Sequence, residues 1–155
     1  MQIFGKSLSE YIRFQKPILI AILVVGLLRL ILSLAGVPVG TVQLFSMTVV
    51  ALAGAIYYGV RVPRTGFGSY RHLLPLVVIQ SALANGIAIM GILIAFATGQ
   101  ENIFTTPDFG GDGTFHVIGH LIFGIGIGSL LSWGISSLVM LITRKLARPS
   151  AAAAS

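Results

Sequence analysis

Cysteine is absent from the 155-residue chain, which excludes disulfides, thiolate metal centres and cysteine nucleophiles whichever compartment the loops face. Charge is scarce as well. Charged residues make up 9% of the chain, against roughly 25% in an average soluble domain. Acids are scarcer still, with four Asp and Glu in total, and none lies within the long apolar runs. That absence counts against an ion-coupled transporter, which needs a titratable group in the membrane to exchange protons or hold substrate.

What the chain does have is apolar length. Hydrophobic residues make up 55% of it, and four runs approach or exceed the roughly 20 residues needed to cross a hydrocarbon layer about 30 Å thick. They are expected at 17–37 ("PILIAILVVGLLRLILSLAGV"), 41–60, 73–98 and 115–143. The fold class is therefore an all-α membrane protein, with four transmembrane helices in a compact bundle that fills 17–146. A cleavable signal peptide is disfavoured, because the first run is too long, lacks an A-x-A site and contains Arg29.

The net charge of +6 is distributed as a topology signal, which argues for lipid headgroups and against nucleic acid as its partner. Lys6, Arg13 and Lys16 precede the first span, Arg61, Arg64 and Arg71 lie between the second and third, and Arg144, Lys145 and Arg148 follow the fourth. The two opposite loops contain no Lys or Arg, whereas Glu101, Asp108 and Asp112 all fall in the second of them. The positive-inside rule then places both termini in the cytoplasm and the acidic loop outside, with a bacterial inner membrane as the simplest setting. Residues 1–16 are expected to form a cytoplasmic amphipathic segment with a short interfacial helix, because "SLSE" (7–10) has capping-box spacing and Leu8, Tyr11 and Ile12 share a face. Residues 147–155, ending in "SAAAAS", are expected to be a disordered tail.

The openings of the second and fourth spans resemble each other, "GTVQLFSM" at 40–47 and "GTFHVIGH" at 113–120. A duplicated hairpin of parallel orientation would produce this, although low-complexity apolar sequence produces such matches too. In the fourth span His116, His120, Gly124, Gly128, Ser132 and Ser136 recur every four residues. Small residues at this spacing let helix backbones approach, so Gly124, Gly128, Ser132 and Ser136 are assigned to helix packing. Their neighbour is either another helix of the chain or a partner, a second copy or another membrane protein docked through the fourth helix.

Few residues remain for chemistry. Arg29 is the only charge within a span, about 12 Å from the run's end at 1.5 Å per residue. Such a residue faces a bundle interior or snorkels to the interface. With Gln43 and Asn85 it forms the candidate ligand-binding set, though an interhelical contact is the favoured reading. His116 and His120, one helical turn apart, are candidate ligands for a divalent metal, with Asp108 or Asp112 folding over as oxygen donors. No glutamate follows His116 as H-E-x-x-H hydrolytic zinc chemistry requires. Haem is disfavoured because its two axial ligands must approach from opposite faces. The leading expectation is a non-enzymatic scaffold, assembly or accessory subunit. The alternative is an outward-facing metal or small-ligand site, redox or catalytic, built from His116, His120, Arg29 and the acidic loop.

The cysteine-free background makes the orientation testable. A cysteine introduced at Gln100 should react with a membrane-impermeant maleimide on intact cells, whereas one at Arg64 should react only after permeabilisation. The reverse pattern would invert the topology.

Overall fold

A computed structural model describes residues 2–105 and 113–147, with side chains from residue 115 in the second stretch. The candidate metal ligands Asp108 and Asp112, and the tail from residue 148, lie outside the described residues. Among the described residues four segments are long and apolar enough to cross a membrane: Leu8–Leu34, Val39–Thr65, Tyr70–Thr98 and Phe115–Leu146.

Ahead of the first span, β1 (Gln2–Ile3) pairs antiparallel with β2 (Lys6–Ser7) around a tight turn. Phe4 and Gly5 occupy its corners with φ of 53° and 83°, the positive values that suit a two-residue hairpin but that a phenylalanine rarely adopts. Two side chains hold the turn down. Tyr11 Oη donates to the Ile3 carbonyl at 3.0 Å, and His72 Nε2 lies 3.2 Å from the Phe4 carbonyl. Because His72 Nδ1 accepts the Ser69 N–H at 2.9 Å, the proton sits on Nε2 and is donated to Phe4.

The expected capping box is present at Ser7. Its Oγ accepts the Glu10 N–H at 3.3 Å and its own N–H donates to Glu10 Oε2 at 2.7 Å, which starts α1 (Leu8–Leu34). Residues 8–16, expected as a separate interfacial helix, are continuous with the first span, and Pro17 lies inside the helix. The second span consists of a short helix α2 (Val39–Val42), a turn at 43–46, and α3 (Met47–Thr65), which is capped by Ser46 and closed by Gly66 at φ 66°. α4 (Tyr70–Thr98) ends likewise at Gly99, φ 70°. The fourth span runs as α5 (Gly113–Gly119), a π-helical segment (His120–Ile127) and α6 (Gly128–Leu146).

α4 packs against α1, α3 and α6, and α3 packs along α6, so α1 and α6 flank the α3–α4 pair. Buried positions of α1 recur on α4 at a constant shift of 65: Tyr11, Gln15, Ile22, Gly26 and Leu30 against Leu76, Gln80, Ile87, Gly91 and Ala95. Two apolar clusters divide the core. One, with Tyr11, Tyr58, Leu73 and Met140, lies at the end that carries the basic residues; the other, with Ile22, Leu30, Ile87 and Phe104, lies at the far end. At the basic end the cations lie over aromatic rings, Arg61 5.0 Å from the Phe14 centroid, Arg144 5.1 Å from Tyr70 and Lys6 4.5 Å from Phe67.

Polar side chains tie the helices together. The buried Tyr58 hydroxyl donates to Gln15 Oε1 at 3.0 Å, and Gln80 Nε2 donates to the Ala51 carbonyl at 3.0 Å. Glycines make room for such contacts: a Cβ on Gly54 would stand 2.5 Å from Gln80 Oε1, and one on Gly59 would stand 2.6 Å from the Ser136 carbonyl. The Ser132–Ser136 end of the small-residue ridge therefore meets α3 of the same chain. Gly59→Ala should push α3 from α6 and cost about 1–3 kcal/mol, as overpacking does. Gly134→Ala, where no atom lies within 4 Å, should be neutral or mildly stabilising in the same detergent unfolding measurement.

Candidate functional site

The far half of the bundle is less tightly closed than the basic half, and the reason is the fourth span. An α-helical step of four residues overshoots one turn by about 40°, whereas a π-helical turn holds more residues, so the same step undershoots. Passing from α to π and back keeps His116, His120, Gly124, Gly128 and Ser132 on one side of the span. All five face a cavity of about 510 Å³, within the size range of small-molecule sites. Its other walls are Arg29 of α1, Thr48 and Ala51 of α3, and Ser81 and Asn85 of α4.

Asn85 lies at the junction. Its amide nitrogen donates to the Ser81 carbonyl at 2.9 Å, which points its oxygen toward the fourth span, where His120 Nδ1 lies 2.8 Å away. Since that oxygen only accepts, Nδ1 carries the proton and donates. Gly124 permits the approach: a Cβ there would collide with the Asn85 side chain. The His116 ring stacks on His120 with centroids 5.1 Å apart and planes 12° from parallel.

This arrangement gives the histidine pair a structural role. One nitrogen of His120 is occupied by Asn85, and among the described residues no group of three or more His, Asp or Glu side chains is placed to hold a metal ion. The histidine pair is part of a helix–helix contact. The same geometry sets the middle of the ridge, Gly124, against α4 of the same chain.

Arg29 lies on the α1 wall, roughly 7 Å from the end of the helix at Leu34, closer than the apolar run suggested because α1 stops before Val37. Its Nε is buried and has no hydrogen-bond partner. Among the described residues the ion pair present is Lys6–Glu10 at 3.5 Å, and no carboxylate meets Arg29. What meets it is the Phe104 ring, 5.6 Å from the guanidinium carbon. Gln43, the third candidate ligand-binding residue, is exposed at the end of α2 and does not line the cavity.

The sequence reading missed Asn102 and Phe104. Asn102 is 2% exposed; its Nδ2 donates to the Gly91 carbonyl at 2.8 Å and its Oδ1 accepts the Phe104 N–H at 3.0 Å. The Phe104 ring consequently lies on Gly91, whose Cβ position it fills. The signal was a glycine inside α4 and an Asn-x-Phe ahead of the acidic loop, which has meaning only once the loop is seen to fold back over the helix.

The chain matches no family model, no characterised protein and no solved structure. The assignment of function therefore rests on the geometry alone.

A double-mutant cycle tests the central contact. Asn85→Ala and His120→Ala should each destabilise the protein, with a coupling energy of about 0.6–2 kcal/mol, the range of interhelical hydrogen bonds in membranes. His116→Ala should show no comparable coupling to Asn85→Ala in the same unfolding experiment.

Proposed function

We propose that this is a small multi-pass protein of a bacterial inner membrane, with both termini and the 61–71 loop in the cytoplasm, acting as a non-enzymatic assembly or accessory subunit for another membrane protein. The observation that carries the reading is the use made of the intramembrane polar side chains. Gln15, Tyr58, Gln80, Asn85 and His120 are engaged in bonds between helices, and among the described residues no nucleophile, base and acid converge as a reacting set requires. The segregation of cations to one end, with Lys6, Arg61, Arg71 and Arg144 over aromatic rings, supports the orientation. The hairpin and the first turns of α1 then lie at the cytoplasmic interface, with Phe4, Leu8 and Ile12, all exposed, directed toward lipid.

The ridge faces the interior of the bundle, toward Asn85 at Gly124 and the cavity at Gly128 and Ser132, so a partner docked through the fourth helix uses the opposite face, where Phe123, Leu130 and Leu138 are exposed. Metal content and assembly state distinguish the readings. The protein released from native membranes in mild detergent should contain no stoichiometric divalent metal and should run in a defined complex, and His116→Ala/His120→Ala should weaken folding or assembly. A solitary monomer whose bound metal disappears in a still-folded double mutant would overturn the proposal and restore the enzyme reading.

A further inference from the structure

The cavity around Arg29 has an opening whose direction identifies what it admits. α3 packs along α6 but diverges from the π-helical segment above it, leaving a gap between the second and fourth spans at the level of the cavity. The rims of the gap are Leu52, 44% exposed, and Leu131, 65% exposed, with the exposed Thr48 beside them. These are lipid-facing positions in a membrane-spanning bundle, so the cavity opens sideways into the bilayer. Among the described residues that line it, the charged group is the Arg29 guanidinium, which no carboxylate of the described residues meets.

We propose that this cavity binds a single-chain anionic amphiphile, a long-chain carboxylate, whose headgroup pairs with Arg29 and whose hydrocarbon tail leaves through the gap between α3 and the fourth span. The assignment goes beyond the accessory role and does not depend on it. A carboxylate fits because a guanidinium presents parallel N–H donors that match its two oxygens. A phosphate dianion fits less well, since Arg29 is the one Lys or Arg among the described residues that line the cavity. Thr48, Ser81 and Ser132 supply neutral hydroxyls around the headgroup. Phe104, packed on Gly91 beside the guanidinium, takes up part of the space around the headgroup, which favours one chain over two. The small residues Ala51, Gly124 and Gly128 leave the volume that larger side chains would fill.

The experiment is native mass spectrometry of the detergent-released full chain after incubation with palmitate, methyl palmitate, butyrate or phosphatidylglycerol. One palmitate per chain is expected, with weak or no adduct from the other three. Arg29→Gln should lower palmitate affinity about tenfold or more, the scale of one hydrogen bond to a charged group, and Arg29→Lys should fall between. Ser132→Phe keeps the arginine but fills the cavity, and should abolish the adduct. Helicity and elution volume verify that each variant is folded; if Arg29→Gln does not fold, Ser132→Phe decides. Methyl palmitate bound as well as palmitate, butyrate or phosphatidylglycerol bound as well as palmitate, undiminished binding in folded Arg29→Gln or Ser132→Phe, or no adduct in the wild type would each overturn the assignment.

Discussion

Hydrocarbon offers no hydrogen-bond partner, so a polar side chain carried into the bilayer must find one inside the bundle or leave a donor or acceptor unmet. The arrangement of this protein follows from that constraint. Amide and hydroxyl groups on one helix reach a backbone carbonyl or side chain on the next, and a small residue stands where the reaching group must pass. Gln80 bonds across to α3 beside Gly54, Asn85 meets His120 against Gly124, and Asn102 holds the Gly91 carbonyl while Phe104 covers Gly91. Polar residue and glycine act as a unit in each case. Either alone would be a defect, an unsatisfied group or a packing void, and together they make a contact that apolar packing could not specify.

The two halves of the bundle meet the constraint differently. In the basic half, α3 and α6 approach closely at Gly59, with the Ser136 carbonyl and Val139 filling the space, and the helices lock. In the far half the fourth span changes to π-helical geometry at His120, moves away from α3 and leaves a volume that the protein's own side chains do not fill. The rule is not met everywhere, since Gln15 Nε2, Gln80 Oε1, Ser129 Oγ, Ser137 Oγ and Arg29 Nε are buried without a partner, and Arg29, the charged residue among them, has an aromatic ring beside it. A guanidinium that lines an open volume with no carboxylate beside it is the natural place for an anionic ligand.

The ends of the bundle are organised by a second, simpler force. Cations cannot enter the hydrocarbon and aromatic rings favour its edge, so Lys6, Arg61, Arg71 and Arg144 gather with Phe4, Phe14, Phe67 and Tyr70 at one end. The hairpin that precedes α1 belongs to this layer. His72 joins it to the start of α4 through Phe4 and Ser69, which couples the N-terminus to the loop between the second and third spans.

The spans, their number and the segregation of charge were legible in the sequence because hydropathy and charge are local, additive properties of a run of residues. The start of α1 was legible for the same reason, since Ser7 and Glu10 are three residues apart and satisfy each other. Only the tertiary structure decided which neighbour each face would meet. It turned Gly124 and Ser136 of the ridge inward onto α4 and α3, set His120 against Asn85, left Gln43 outside the cavity, and buried Asn102 and Phe104. Those outcomes depend on where a helix changes pitch and which helix lies across from it, and spacing along a single chain segment does not encode either.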